Sequence, residues 1–495
     1  MPPTRQPGLS KSTFLMGRQC TKLLWFRYNA KDQIPAPDES QQAVFDQGHE
    51  VGDLAKQFFP GGIEIDTAPG DFDGAIRRTT EALKQRRSIY EATFSSGCGY
   101  ARADILVPVA DNAWDLIEVK STTSLKDDVH LPDIAFQSFV LTGAGIKLRK
   151  CFLAHINNEF VRHGPIDPQK FFTLADVTQP VSAMTGDIAD QIDAMQRVIG
   201  AKSHPDIQIG PQCDSPYTCA LHDRCWSFLP EASVFTLYRG GQKGFSLLQR
   251  GIQKLADIPA DEPLTDIQSI QRSVLLAGQP HIDRPALTAF LSQLEYPVSY
   301  LDFETIGTAI PLFDGAKPYQ QIPFQYSLHI VRQPGAAPEH ISYLAEGTAD
   351  LRPEFMRHLR QNLPSMGSVV TYNASFETSR LNECCELLPE FKPWLQKVMP
   401  RIVDLLLPFR GFRYYHPDQH GSASMKAVLP AITGSGYNHL TIQEGGAASR
   451  EFLRITFGQV SDKERNRVRR DLEAYCALDT LGMVQIVDKL ELLTI

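Results

Sequence analysis

The chain has 495 residues, of which 42% are hydrophobic and 21% are charged, values that exclude a disordered polymer and predict two or three globular domains. Its formal net charge of -8 argues against a protein that coats nucleic acid, although a local basic groove in an acidic chain can still bind phosphate. No apolar run has the roughly 18 residues of a membrane span, and the N-terminus lacks the apolar core of a secretory signal, so we expect a cytoplasmic protein without a membrane partner.

The first segment, residues 1–230, has the helix and strand order of an α/β domain. Helical spacing occurs at Phe14–Tyr28 and again over residues 48–59. The runs ARADILVPVA and AWDLIEVKS then predict adjacent strands joined by a turn at Asp111 and Asn112. A helix, DIAFQSFVLTGAG, and a strand, CFLAHINN, follow before a group of cysteines.

The rest of the chain predicts a connector and a second α/β domain. Residues 231–290 contain short helical patterns separated by glycines, and we interpret them as a helical connector. Residues 291–495 begin with the strands YPVSYLDFETI and PFQYSLHIV and continue with a helix near Pro353–Leu363 and the strand SVVTYN. Helices complete the chain, an order that favours a mixed sheet covered by helices.

A first group of charged residues lies on the predicted strands of the N-terminal domain. Asp104 lies in one strand, and the two-residue period of the next puts Glu118 and Lys120 on the same face. Metal-dependent cleavage of a phosphodiester needs carboxylates that hold the ion and a nearby cation or base that orients the attacking water. These three residues are therefore candidates for a catalytic site.

Three further residues are candidates for the same site. His49 lies on a predicted helix, and Glu91 is expected about one helical turn before the first strand; either could reach the ion. Gln137, on the following helix, could donate its amide to phosphate or substrate.

Four cysteines form a candidate metal site at the boundaries of the first domain. Cys213, Cys219 and Cys225 have five residues between successive sulfurs, and Cys20 is the candidate fourth ligand. Four thiolates suit either an iron-sulfur cluster or zinc, and His222 lies inside the group. The other five cysteines lack such spacing and are expected to be packing residues: Cys98, Cys151, Cys384, Cys385 and Cys476.

On these residues the first half resembles the RecB family of PD-(D/E)XK nucleases, especially the CRISPR-associated exonucleases that carry a 4Fe-4S cluster. The resemblance implies a restriction-endonuclease-like fold. It also implies Mg or Mn ligands at His49, Asp104, Glu118 and the Val119 carbonyl, a water-orienting Lys120, and the four cysteines on the cluster. The chain departs from the family in wider cysteine spacing and in its Gln-x3-Tyr motif, which here ends at Leu141.

A second group of carboxylates occurs in the C-terminal domain. Asp302 and Glu304 share one face of a predicted strand, and Glu377 lies near the start of a helix. Tyr475 and Asp479 are four residues apart on a predicted helix and so share a face. Each close pair of carboxylates costs about 4 kcal/mol at an effective dielectric near 20, so the group predicts bound divalent ions.

This half resembles the DEDD, DnaQ-like exonuclease superfamily, which has an RNase H-like fold. In the tyrosine subtype a Tyr-x3-Asp motif supplies the water-orienting hydroxyl, here Tyr475. The resemblance implies Asp302, Glu304 and Asp479 as metal ligands. Glu377 stands where the family usually has Asp, and Asp404 is a residue that could compensate for it.

Together the halves resemble uncharacterised bacterial proteins that join a RecB-like nuclease to an RNase H-like domain. The resulting expectation is a two-centre exonuclease acting on single-stranded DNA ends, with Mg or Mn and a structural 4Fe-4S cluster. Two alternatives stay open: a nucleic-acid-binding scaffold in which only the N-terminal centre is active, and an RNA-processing exonuclease.

Overall fold

The chain divides into two units in the computed structural model, which describes residues 8–68 and 70–495. The first unit comprises Met1–Phe228 and Thr308–Tyr319, and the second comprises Leu229–Gly307 and Gln320–Ile495. Residues 231–290, expected to form a connector, group with the second unit. Residues 1–7, part of the stretch examined for a secretory signal, lie outside the described residues. Within the described ranges, no helix combines the length and apolar character needed to cross a membrane.

The first unit is a mixed α/β structure around a seven-stranded sheet. Its strands are β1 Leu9–Ser10, β2 Ile63–Glu64, β3 Ile89–Ser96, β4 Gly99–Pro108, β5 Trp114–Lys120, β6 Leu148–Ile156 and β7 Phe172–Asp176. Its helices are α1 Lys11–Gln19, α2 Thr21–Asn29, α3 Glu39–Lys56, α4 Phe72–Leu83, α5 Asp127–Gly143, α6 Pro168–Phe171, α7 Thr178–Thr185, α8 Ile188–Ile199 and α9 His222–Trp226, with 3-10 turns at Lys31–Gln33 and Pro211–Cys213.

The sheet order β2-β3-β4-β5-β6-β7, with β1 beside β4, places the predicted strands in its centre. β4 and β5 form the expected antiparallel pair, and Asp111 and Asn112 at their turn have φ angles of 55° and 59°. Asn and Asp tolerate this left-handed region better than most residues, which explains the turn. α5 then connects β5 to the parallel strand β6 and packs its apolar side chains into the core beneath the sheet.

Two local expectations for this unit are wrong. The helix expected over Phe14–Tyr28 is two helices, because Cys20 adopts an extended conformation between α1 and α2. Glu91 does not precede the first strand: it lies inside β3 with a φ of 59° and forms an ion pair with Arg102 at 2.8 Å.

The second unit is also a mixed α/β structure. Its strands are β8 His281–Ile282, β9 Val298–Ile306, β10 Ile322–Val331, β11 Glu339–Leu344, β12 Val369–Thr371, β13 Ile402–Asp404 and β14 Tyr414–Tyr415. Its helices are α10 Gln242–Gln249, α11 Asp266–Ala277, α12 Arg284–Leu291, α13 Arg352–Asn362, α14 Ser375–Leu387, α15 Lys392–Val398, α16 Leu406–Arg410, α17 Met425–Thr433, α18 Gly445–Phe457 and α19 Asp462–Thr494. Short 3-10 turns occur at Val234–Thr236, Leu255–Asp257, Pro389–Phe391, Met399–Arg401 and Pro417–Gln419.

A five-stranded sheet of order β11-β10-β9-β12-β13 forms the centre of this unit, and β8 pairs with β14 separately. The strand β9 is antiparallel to β10 and parallel to β12. Leu301 and Phe303 of β9 are buried in the apolar core with residues of α13 and α14. The long helix α19 packs against β9 and β10 and presents Tyr475 and Asp479.

Candidate active sites

The first site is assembled by three elements of the central sheet and its helices. Asp104 lies on β4, Glu118 and Lys120 lie on β5, and Asp133 and Gln137 lie one turn apart on α5. Because β4 and β5 are antiparallel neighbours, Asp104 and the β5 pair meet on adjacent strands: the Val119 N–H donates to Asp104 Oδ2 at 2.8 Å. The structure thus places Asp104, Glu118 and Lys120 side by side.

Lysines saturate one oxygen of the buried Glu118. Lys120 Nζ lies 2.6 Å from Glu118 Oε1 and 2.7 Å from Asp133 Oδ2. Lys11, from the start of α1, lies 2.7 Å from the same Glu118 oxygen. Three carboxylates therefore share two ammonium groups. Sequence reasoning missed Lys11 and Asp133.

Burial and charge separate the protonation behaviour of the carboxylates. Burial and the neighbouring Glu118 raise the pKa of Asp104 to about 7. Burial also disfavours the charged form of Glu118, but Lys11 and Lys120 outweigh it and hold the pKa of Glu118 well below its usual value. Burial and Glu118 raise the pKa of Asp133 as well. The site thus combines one firmly ionised carboxylate with others that a further cation would ionise.

Of the three further candidates, Glu91 pairs with Arg102, and Gln137 and His49 have different positions. Gln137 is fully buried, and its Nε2 donates to Glu118 Oε2 at 2.7 Å and to Asp133 Oδ1 at 2.9 Å. Its direct partners are thus carboxylates of the site. His49 is exposed on α3, and within the described parts of the chain it has no hydrogen bond or ion pair with Asp104 or Glu118.

The four cysteines line one small cavity of the first unit, together with residues of the 207–213 stretch and His222. Burial, followed by the other three thiols, raises the pKa of Cys219 to about 11. The His222 ring stacks on Trp226 at 4.7 Å, and its nitrogens lie 3.4 Å from Asp223 and 3.8 Å from Asp214. The cavity thus brings Cys20 to the three cysteines of residues 213–225.

The second site brings together carboxylates from the sheet and two helices. Asp302 and Glu304 lie on β9, Glu377 on α14, and Asp479 on α19. Ligand atoms of Asp302, Glu304 and Cys476 all lie within 4.8 Å of one another. Among the described residues, these are the three His, Cys, Asp or Glu side chains whose ligand atoms lie within this distance of one another. Cys476, expected to be a packing residue, is therefore a missed member of the site.

Little positive charge compensates these carboxylates. Burial raises the pKa of Asp302 well above its usual value, and Asp479, Glu304 and Glu377 raise it further. Burial also raises the pKa of Glu304 to about 8, with Asp479 adding to the effect and Lys426 opposing it. Such a group is most stable with protons or metal ions bound.

The pKa values of Glu377 and Asp479 are raised as well. Burial, opposed by a backbone hydrogen bond, raises the pKa of Glu377 to about 8, and Asp404 contributes. Glu377 Oε2 is buried without a hydrogen-bond partner among the described residues. Asp404, suggested as a substitute for Glu377, uses its Oδ1 to accept the N–H groups of Asn373 at 2.9 Å and Leu406 at 3.0 Å.

Two tyrosines lie beside Asp479. Burial raises the pKa of Asp479 to about 7, although a hydrogen bond from Tyr437 lowers it. Tyr475, one turn earlier on α19, has its ring 6.1 Å from that of Tyr437. Sequence reasoning missed Tyr437 and Lys426, since both belong to stretches without a recognisable motif.

Fold and side chains thus define a mixed α/β protein with two buried acidic clusters and a four-cysteine cavity. The profile of a domain of unknown function (DUF2779) matches residues 299–424, which include Asp302, Glu304 and Glu377. The chain is 28% identical over 207 residues to an uncharacterized protein of Mycoplasma genitalium, a match that covers 38% of this chain and 31% of the relative.

Two further relatives are uncharacterized proteins as well. One, from Mycoplasma pneumoniae, is 25% identical over 206 residues, which cover 38% of this chain and 31% of the relative. The other, from Ureaplasma parvum, is 23% identical over 224 residues, which cover 41% of this chain and 32% of the relative. The matched part of the chain thus spans about a third of the length of these relatives, and their names assign no activity.

Proposed function

We propose that the protein is a metal-dependent nuclease with two catalytic centres, one PD-(D/E)XK-like in the first unit and one DEDD-like in the second. The observation that carries the proposal is the assembly, in each unit, of carboxylates from different strands and helices. Asp104 and Glu118 meet beside Lys120, and Asp302 and Glu304 of β9 lie near Asp479 of α19.

In the first centre Asp104 and Glu118 would hold Mg²⁺ or Mn²⁺, which when bound supplies Lewis-acid activation of water and phosphate. Lys120 orients the attacking water, since its ammonium is fixed by Glu118 and Asp133. Gln137 keeps Glu118 and Asp133 in place by donating to both. His49, exposed on α3, would be the further ligand that the resemblance implies.

In the second centre the ligands would be Asp302, Glu304 and Asp479. Their raised pKa values fit this role, because a divalent cation supplies the charge that the cluster lacks. Tyr475 would orient the water of a 3'-to-5' exonuclease reaction. Glu377 completes the acidic group with a buried oxygen that has no partner within the described chain, an atom suited to accept a cation or a water.

The four cysteines would hold a 4Fe-4S cluster with a structural role, and zinc is the alternative. All four cysteines line one cavity, as either cofactor requires. The orientation of His222 toward Asp214 and Asp223 favours an all-cysteine set.

The substrate class we propose is single-stranded DNA with a free end, and RNA is the alternative. The test is digestion of end-labelled DNA and RNA strands of matched sequence with Mn²⁺. The enzymes compared are wild type, Lys120→Ala, Asp302→Ala and the double variant. We expect Lys120→Ala to lose most of the activity and Asp302→Ala to lose a measurable part.

The relative cleavage rates of the variants distinguish the proposed function from its alternatives. If Asp302→Ala keeps the full rate while Lys120→Ala is inactive, the second unit is a scaffold that guides nucleic acid to the first centre. If the double variant cleaves as fast as wild type, neither cluster is catalytic and the nuclease proposal is wrong. Faster cleavage of RNA than of DNA would move the protein to the RNA-processing class.

A further inference from the structure

Lys11 occupies an unusual place for a cation. It is the first residue of α1, a helix without an acidic residue in its first turn, so the helix dipole disfavours a positive charge there. Its ammonium instead points into the first centre, 2.7 Å from Glu118, 3.7 Å from Asp104 and 3.9 Å from Asp133. The three carboxylates outweigh the unfavourable helix position.

The backbone around Lys11 is fixed independently of its side chain. Ser10 caps α1 in a reciprocal pair of hydrogen bonds with Thr13, and β1 pairs with β4. Leu9 and Phe14 on either side are fully buried in the core of the first unit. The Lys11 ammonium therefore extends toward the carboxylates from a backbone segment that is fixed by its own hydrogen bonds and packing.

Both oxygens of Glu118 are already engaged. Oε1 accepts from Lys11 and from Lys120, and Oε2 accepts from Gln137. A divalent cation that takes Glu118 as a ligand must displace at least one of these donors, because each oxygen has few lone pairs to share.

The geometry decides which donor yields. Lys120 has a second close partner, Asp133 Oδ2 at 2.7 Å, and Gln137 also donates to Asp133. Lys11 has a single contact below 3.5 Å in this cluster, the one to Glu118. Displacement of Lys11 from Glu118 therefore breaks fewer close contacts than displacement of Lys120 or Gln137.

We infer that Lys11 is a built-in counterion of the first centre, which neutralises Glu118 in the metal-free protein and is displaced when a divalent cation binds. The inference rests on the proposed metal site at Asp104 and Glu118. Lys11 thus sets the divalent-ion concentration at which this centre is occupied, because ion and ammonium compete for one carboxylate.

The first test measures Mn²⁺ binding in the absence of nucleic acid. The electron paramagnetic resonance signal of free Mn²⁺ is the readout. The parent carries Asp302→Asn and Glu304→Gln, so that binding reports on the first centre. We expect Lys11→Met to bind Mn²⁺ about fivefold or more tightly than the parent, a typical size for coupled binding. Lys11→Arg, which keeps the charge, and Lys84→Met, which removes an exposed lysine paired with Glu81, should bind like the parent.

Unchanged affinity in Lys11→Met overturns the inference and leaves the proposed metal site intact. Absence of Mn²⁺ binding in every variant, Lys11→Met included, overturns both.

A second test uses the wild-type protein and so does not depend on how a variant folds. Reductive methylation of lysines, read by mass spectrometry, should modify Lys11 severalfold faster with Mn²⁺ than without it, because the ammonium is released from Glu118. Lys84 should be modified at the same rate in both conditions. Equal or slower modification of Lys11 with Mn²⁺ overturns the inference.

Discussion

The Tyr437 hydroxyl donates a hydrogen bond to Asp479 Oδ1 at 2.5 Å, and both side chains are buried. Tyr437 follows the end of α17, whereas Asp479 lies on α19, 42 residues later in the chain. The bond orients one oxygen of Asp479 and leaves the other for the acidic cluster. Tyr437 is therefore a positioning residue of the second site.

Tyr437→Phe should lower the free energy of unfolding of the metal-free protein by about 1 to 2 kcal/mol, because a buried carboxyl loses its hydrogen-bond donor. Urea denaturation at neutral pH measures the change. Tyr475→Phe is the matched control, since the Tyr475 hydroxyl has no hydrogen-bond partner among the described residues. We expect the control to keep the stability of wild type and to lose exonuclease activity, and equal destabilisation of both variants would contradict this assignment.

The acidic cluster predicts that the metal-free protein is less stable at alkaline pH. The pKa values of Glu304 and Glu377 are raised to about 8, and that of Asp479 is raised to about 7. The folded protein therefore holds protons that the unfolded chain releases above its ordinary carboxyl pKa, and stability falls as pH rises from about 4.5 toward 8. Denaturant midpoints measured with EDTA between pH 5 and pH 9 should show this decline.

Mn²⁺ should reduce the decline, because a bound cation replaces the protons. Glu304→Gln is the matched variant: it removes one titrating carboxyl and should flatten the pH dependence without metal. A midpoint that stays constant or rises over this range would show that the carboxyls are ionised in the folded protein.

Local patterns in the sequence were enough to predict the strands that carry Asp104, Glu118 and Asp302. Each strand contains a short stretch in which apolar and polar residues alternate, and the turn at Asp111 and Asn112 has residues that accept a positive φ. Pairing of β4 with β5 then places Asp104 beside the strand that carries Glu118. Glu91 was misplaced because its strand, β3, was not recognised.

Residues recruited by tertiary contacts could not be found in this way. Lys11 is 107 positions from Glu118 in the chain, and Tyr437 lies between helices in a stretch without periodicity. Asp133 did give a signal: it is a charged residue one turn before Gln137, with apolar residues on both sides in the chain, a pattern typical of a buried polar contact.

Asp133→Ala should lower cleavage by the first centre about 10- to 100-fold, the usual effect of removing a residue that orients a catalytic group. Lys120 would lose its bond to Asp133 and Gln137 would lose one acceptor. Initial rates on single-stranded DNA, in the Asp302→Ala background, measure the change. Asp176→Ala, which breaks an exposed ion pair with Lys150, is the control and should leave the rate unchanged.

The cysteine cavity predicts a cofactor that ties the start of the first unit to its end. Cys219→Ser should abolish the visible absorption and the iron content of protein purified without oxygen. It should also lower the melting temperature, because a bound cluster would close a loop of nearly two hundred residues and would contribute about 4 to 5 kcal/mol by analogy with a cross-link. Cys384→Ala removes a thiol of the second unit, outside the cavity, and should retain all the iron. Zinc in place of iron in the wild-type protein would identify the alternative metal, and loss of iron in Cys384→Ala would contradict the assignment of the four ligands.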